Sequence, residues 1–263
     1  STQSRSSAAS DVYKRQESNI LISSNNLSEA WIQAMQAIID SSGKELTPLL
    51  ITLTNFEEND NVKKILSDSL IDAGFGSIDT VSETIFPSSL YRYLKGDRHK
   101  LYSEYLTNVL PRIKKIEKQN RNGTYFERMI SFGEGNKNQL EIVINSLNQQ
   151  NVKRRSKLQI AIFNPMTDHK ESVFQGFPCL QHVTFYKSEN NGLVINAFYA
   201  IQYLYKRAYG NWLGIINLGK FVAEQSGLNL ERLNCFIGVE QLDHLKKSEA
   251  RNLLAEISFN NEY

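Results

Sequence analysis

Cysteine is scarce, with Cys179 and Cys235 alone among 263 residues. Neither stands in a CxxC pair or at a Cys/His metal spacing, so neither a disulfide framework nor a zinc site is expected and no metal ligands are named. Net charge is nearly absent as well, thirty basic side chains facing twenty-eight acidic ones. An extended nucleic-acid footprint needs a basic stripe, so no nucleic-acid partner is expected. A small anion held by one or two arginines remains open. No apolar run nears the ~18 residues of a membrane span, so no membrane partner is expected and the chain reads as cytoplasmic. Repeats, low-complexity linkers and strong shifts of composition are missing too, which favours one domain over two.

What is present supports a sizeable core, since 41% of the chain is hydrophobic. Residues 1–16, serine-rich and without hydrophobic period, read as a non-native or disordered tail and leave 17–263 as the domain. Apolar residues at helical spacing predict a helix over Leu27 to Ile39, with Ser28 available as its cap. Leu49 to Leu53 is a strand candidate and Val62 to Ala73 a helix ending at Gly74. Between Ser82 and Glu117 one or two helices are expected, broken at Pro87 and Pro111. The run Arg112 to Lys115 reads as a solvated helix face. Gln139 to Leu147 is a further amphipathic helix. The second half is richer in strand candidates: Leu158 to Phe163, His182 to Lys187, Leu193 to Phe198 and Asn234 to Gly238. Trp212 to Ala223 is apolar all round, which marks a buried helix. Its Gly214 and Gly219 suit close backbone approach.

Four short segments carry the chemistry, in the order Arg154-Arg155, Asn164-Pro165 with Asp168, Pro178-Cys179, and Gly210-Asn211. Taken singly each has a plain structural reading: surface charge, a turn, a small core residue, a helix cap. Gly133-Glu134-Gly135 is a turn and not a phosphate loop, because no Lys-Ser/Thr follows. Cys235, in an apolar strand, is expected to be an inert buried thiol. Tyr199, Tyr203, Tyr205 and Tyr209 read as packing, and His99, His169 and His244 as exposed. Glu127 and Arg128 are candidates to line a cleft.

Together the stretches RRSKLQIAIFNPMTD, FPCLQHVTFY and GLVINAFYAIQYLYKRAYGNWLGI resemble the thymidylate synthase family, including its pyrimidine nucleotide hydroxymethylase-like members. Upstream, YLKGD and NGTYFERM are similar to two further segments of that family. The resemblance runs from about Leu27 to Asp243. It implies an α+β fold, a mixed β-sheet packed by helices with a long buried central helix. It also implies a homodimer and one-carbon transfer, methylation or hydroxymethylation, at carbon 5 of a pyrimidine nucleotide, with 5,10-methylenetetrahydrofolate as donor. By the same resemblance Cys179 is the nucleophile, and Arg154 and Arg155 hold the phosphate bound by the partner subunit. Asn211 reads the amide edge of the base. The chemistry fits these residue types. Carbon 5 is a poor nucleophile until a thiolate adds to carbon 6, and a cysteine thiolate is accessible near neutral pH. Neighbouring arginines lower its pKa and grip phosphate by forked hydrogen bonds. A neutral amide offers the donor and the acceptor that a uracil edge requires.

The chain departs from the family pattern at several positions. Ser89 stands where the family has its catalytic glutamate, and Ala200 and Ile201 replace a phosphate-gripping Arg-Ser pair. Tyr203 replaces a folate-contacting aspartate, and Leu180 replaces a histidine, with His182 two positions on. Gln241 and Asp243 take the ribose-holding positions. Two expectations follow. Either the substrate differs, with Gln202, Gln241 and Asp243 making new contacts, or a nucleotide-like pocket persists in a non-catalytic, regulatory dimer.

Overall fold

Alternation of buried and open side chains builds the centre of the protein. The computed structural model describes residues 20–116, 118–149, 154–171 and 178–259. The expected tail at 1–16 lies outside them. The strands are β1 (Ile20–Asn26), β2 (Glu45–Leu46), β3 (Leu49–Glu57), β4 (Gln159–Ala161), β5 (Leu180–Lys187), β6 (Gly192–Tyr203) and β7 (Asn229–Gln241). They form one seven-stranded mixed sheet in the order β1-β3-β7-β6-β5-β4, with β2 paired to β7. The helices are α1 (Leu27–Asp40), α2 (Asp60–Asp72), α3 (Ile78–Ile85), α4 (Ser88–Tyr93), α5 (Arg98–Glu104), α6 (Leu110–Ile116), α7 (Tyr125–Ile130), α8 (Gln139–Leu147), α9 (Pro165–Asp168), α10 (Tyr209–Gln225) and α11 (Lys247–Phe259).

Register explains which face of the sheet is covered. Paired residues share a face, and the pairs Leu49–Ile237, Ile51–Cys235, Leu53–Leu233, Ile195–Leu233, Ala197–Cys235 and Val183–Ala197 are buried throughout. The helices pack on this side. The other face carries Phe198 and Phe236, whose rings stack with centroids 5.3 Å apart, and a hydrogen-bonded row of Thr52, Asn234, Asn196 and Thr184.

Helix α10 runs through the core, and apolar side chains surround it. Close approach to α3 rests on Gly210 and Gly214. A methyl on Gly210 would sit 2.6 Å from Val81 Cβ and 2.8 Å from the Ile78 carbonyl. At Gly219 the neighbour is the Leu230 side chain, not a backbone. The Ser28 hydroxyl, 2.7 Å from Tyr209 Oη, and the Trp31 indole, donating to the Leu204 carbonyl at 3.0 Å, tie α1 to the start of α10.

Several expected elements change in detail. Asn26 and not Ser28 caps α1, accepting from Glu29 N, because Ser28 is turned inward toward Tyr209. Pro111 does not break a helix. It lies in the first turn of α6, where a missing N–H is tolerated, just after a π-helical turn at Tyr105–Val109. The region 82–117 therefore holds more helices than expected, separated at Pro87 and at Lys95-Gly96, both of positive φ. Strand β4 is shorter than expected, and β6 and β7 are longer.

The lengthened ends of β6 and β7 matter most. Along β6 the inward side chains are Leu193, Ile195, Ala197 and Tyr199, and then Gln202; along β7 they are Leu233, Cys235, Ile237, and then Glu240. Both strands skip a residue at the same level, at Ala200 and Gly238. The Ala200 carbonyl lies 2.8 Å from where a Cβ on Gly238 would stand. Because both skip, register survives, with Tyr199 opposite Ile237 and Gln202 opposite Glu240. Neighbouring β5 has its own bulge between Leu180 and His182. Bulges of this kind re-aim side chains beside functional sites.

Candidate functional site

Cys179 sits one residue before β5 and is half-buried. Its carbonyl accepts a hydrogen bond from Ala200 N at 3.1 Å, which extends the β5–β6 ladder to the cysteine itself. The Gln181 amide donates to the Pro178 carbonyl and closes the turn from the other side. Tyr125, at the start of α7, presents its hydroxyl to the backbone N–H groups of Cys179 and Leu180. The Thr124 capping box with Glu127 fixes that helix end. Burial pushes the Tyr125 phenol up to about 12, so it stays a neutral hydroxyl.

The electrostatics at the sulfur oppose one another. Burial pushes the Cys179 thiol up, and the Arg207 guanidinium pulls it part of the way back. Arg207 belongs to a π-helical turn, Leu204–Ala208, that links β6 to α10. It has no ion pair or hydrogen bond among the described residues. Asn211 lies four residues further along the same continuous helix, in the first turn of α10. Asn211 is only 5% exposed, yet its amide has no hydrogen-bond partner among the described residues. Gln202, 1% exposed, leaves both amide atoms unpartnered. Buried amides normally find partners. The Arg207 charge is felt at Cys179, Asn211 stands in the first turn of α10, and Gln202 lies on β6 three residues beyond Tyr199, which pairs with Leu180.

The remaining candidates go elsewhere. Arg154 and Arg155 are exposed at a 3-10 turn, with Arg154 Nε donating to Ser156 Oγ at 3.3 Å. The Arg155 guanidinium lies 5.5 Å from the Tyr186 ring centroid. It rims an open groove of about 330 Å³ on the uncovered sheet face, together with Ser156, Gln159, Thr184, Tyr186 and Asn196. Asp243 accepts from the Tyr205 and Lys206 backbone N–H groups and pairs with Lys206 Nζ at 3.3 Å, which caps the π-helical turn. Gln241 donates to Glu45 at 3.1 Å across the β2–β7 pairing. Asp168, of the Asn-Pro-x-x-Asp turn, forms a two-pronged ion pair with Arg128, one arm at 2.8 Å. Glu127 pairs with Lys114 at 2.7 Å. Asp168, Arg128 and Glu127 hold the scaffold together. His182 stands opposite Phe198 on the uncovered face, and burial pushes its imidazole pKa down. Ser89 donates through both its N–H and its hydroxyl to Glu83, each at 3.0 Å.

Sequence reasoning missed Arg207 and Glu240. Arg207 is exposed and lies in a stretch of mixed Lys-Arg-Tyr character that resembles surface charge, yet its charge is felt at Cys179. Glu240 is fully buried, and both its carboxylate oxygens are unpartnered among the described residues. Plain alternation along β7 from Ile237 would turn it outward. Among the described residues no group of three His, Cys, Asp or Glu side chains could hold a metal. No described helix is long and apolar enough to cross a membrane. No protein-family model matches the chain, and a search of curated proteins finds none similar to it.

Proposed function

We propose that the protein is a thymidylate synthase-like homodimer in which Cys179 adds covalently to carbon 6 of a pyrimidine nucleotide, preparing carbon 5 for one-carbon transfer. The observation that carries this reading is the setting of Cys179. A backbone hydrogen bond from Ala200 fixes the main chain at Cys179, the Arg207 charge is felt at its sulfur, Asn211 is buried in the first turn of α10, and Gln202 carries a buried amide with both atoms unpartnered among the described residues. Arg207 stabilises the thiolate and offers an anion contact in place of the arginine missing at Ala200. Asn211 and Gln202 supply the donor-and-acceptor pairs that a pyrimidine edge satisfies.

Dimerisation is part of the proposal. The uncovered sheet face carries a stacked aromatic pair and a row of hydrogen-bonded side chains, and Arg155 lies at its groove. A second copy seated there brings its own Arg154 and Arg155 toward this chain's nucleotide.

Folate fits less well. The position that would hold it through a carboxylate is Tyr203, whose ring lies under Lys206 Nζ at 4.9 Å. The resemblance alone brings methylenetetrahydrofolate in as the donor.

Mass spectrometry of the intact protein with 5-fluoro-pyrimidine nucleotides tests the reading. A covalent adduct is expected on the native protein and not on Cys179→Ala, and slower labelling on Arg207→Ala. Absence of adduct with every such nucleotide, with and without folate, overturns it. One set of observations favours a second reading, a non-catalytic nucleotide-binding dimer: burial raises the Cys179 pKa, and Ala200 and Ile201 offer no anion contact. That reading expects thermal stabilisation by a nucleotide that persists in Cys179→Ala without any adduct.

A further inference from the structure

We propose that Glu240, acting through the Tyr199 hydroxyl, is the proton reservoir for the chemistry at Cys179. The inference rests on the reading of Cys179 as a nucleophile toward a pyrimidine and adds a role that the reading leaves unfilled. Addition of a thiolate to carbon 6 leaves negative charge on the enolate and carbon 5; that carbon loses its own proton after it has taken up a one-carbon unit, and in the absence of a donor it is protonated instead. Some group near the sulfur has to supply that proton.

The geometry singles out Glu240. Tyr199 pairs in register with Leu180, next to Cys179, on one side and with Ile237 of β7 on the other. Its ring lies close enough to sense charge on Tyr125, Cys179, Cys235 and Glu240 together. The paired skips at Ala200 and Gly238 bring Gln202 and Glu240 into the same buried layer as Tyr199. Tyr199 Oη, both amide atoms of Gln202 and both oxygens of Glu240 have no hydrogen-bond partner among the described residues. These five polar atoms lie on adjoining strands in one buried layer without bonding one another, so the proton passes between them through one or two bridging waters. The other acid-base groups are committed or turned away. His182 faces the uncovered side, Asp243 is held by Lys206 and two backbone N–H groups, and Glu83 is held by Ser89. Cys235 packs against the same layer, with its thiol pushed up by burial.

The step balances. The Cys179 thiolate forms the bond from sulfur to carbon 6. The Glu240 carboxyl gives its proton through Tyr199 to carbon 5 and becomes a carboxylate. As the bond between sulfur and carbon 6 breaks, carbon 5 gives the hydrogen it first carried to a solvent water on the other face of the ring, and the Glu240 carboxylate regains its proton from solvent. Without any one-carbon donor the net result is exchange of the hydrogen on carbon 5 with solvent.

Proton NMR in D2O reads this exchange directly, as loss of the H5 signal of deoxyuridine or deoxycytidine monophosphate with no folate present. The native protein is expected to exchange H5 and Cys179→Ala to show none. Glu240→Gln is expected to slow exchange on the order of 10²–10⁴-fold, the range for loss of an acid–base group. Tyr199→Phe should slow it at least about tenfold for the same reason, and Glu240→Asp should recover part of the rate. The 5-fluoro adduct should still form on Glu240→Gln, since attack at carbon 6 precedes the proton transfer. The limb of the pH–rate profile that reports deprotonation of the carboxyl should vanish in Glu240→Gln. Exchange by the native protein that persists undiminished in Glu240→Gln or Tyr199→Phe overturns this inference and leaves the nucleophile standing. No exchange and no adduct by the native protein overturns both.

Discussion

A carboxyl sealed from water keeps its proton, because charging it in a low dielectric is more expensive than in solution. Burial, and then the nearby Asp243 charge, push Glu240 well above the ordinary carboxylate range. The unfolded chain titrates near ~4.3 and the folded one higher, so the stability tied to this group is intact below that pH and is lost as pH rises toward the folded value. Glu240→Gln removes the dependence. Its melting temperature should gain on the native protein progressively from pH 5 to pH 8, as read by calorimetry; a gap constant with pH would contradict this. Asp168 behaves oppositely. Hydrogen bonds and charge from Arg128 outweigh burial and hold its carboxyl below the usual range. Its stabilisation is present above pH ~4 and disappears as pH falls through the folded value. Arg128→Met leaves Asp168 buried without its cation and should cost about 3–5 kcal/mol in urea unfolding. The acid transition should also move to higher pH. At this scale the sequence shows which residue types are present and hides their surroundings. Cys179 stood out as a candidate because a short motif surrounds it. Asp168 was legible too, but as part of a motif, and its bond to Arg128 spans forty positions.

Elements were legible where one periodicity governs a whole segment. Helices α1, α2 and α8 and the buried α10 follow their apolar spacing to within a turn, since each packs one stripe or its full girth against the sheet. Strand β1, ILISSNN, escaped because it is an edge strand with polar side chains over half its length. Helix α11 escaped because its few buried residues are spread among charged ones. The ends of β6 and β7 escaped for a different reason. Their alternation changes phase at Ala200 and Gly238, and a reading by strict twos stops at Phe198 and Gly238. The same phase change brings Glu240 inward, so one local irregularity hid both a strand boundary and a candidate site residue. The seam between α10 and α3 yields a sharper test. Gly210→Ala places a methyl against the Ile78 carbonyl at 2.8 Å, a backbone atom that cannot rotate aside. Overpacking of this kind should cost about 1–3 kcal/mol. Because Asn211 is the next residue, nucleotide-induced stabilisation should weaken as well. Gly133→Ala, at a turn with open space around it, is the control for helix-seam specificity, and its φ of +66° confines its cost to backbone strain.

For the molecule as a whole the question is what covers the second face of the sheet. Antiparallel and mixed sheets can leave a face to water when that face is polar. Here it is not uniformly so: Phe198 is 40% exposed and Phe236 39%, and Leu21, Tyr186 and Tyr203 are also open. Between them run Thr52, Asn234, Asn196 and Thr184, whose side chains already bond one another and present an ordered row in place of mobile charge. Apolar centres with such rows suit a face that meets a copy of itself, since a two-fold axis sets the stacked Phe198–Phe236 pair against its equivalent. Light scattering should therefore give twice the chain mass at micromolar concentration. Phe236→Asp puts a charge at the centre of that contact and should give monomer. Secondary structure should persist, because residue 236 faces away from the core. The nucleotide should then be held more weakly, by loss of the partner's Arg154 and Arg155, and Arg154→Ala with Arg155→Ala should weaken it to the same extent without changing the mass. A native chain that scatters as a monomer would remove the reason for those two arginines. Binding that survives Phe236→Asp unchanged would confine the nucleotide site to one protomer, with Arg207 as its cation.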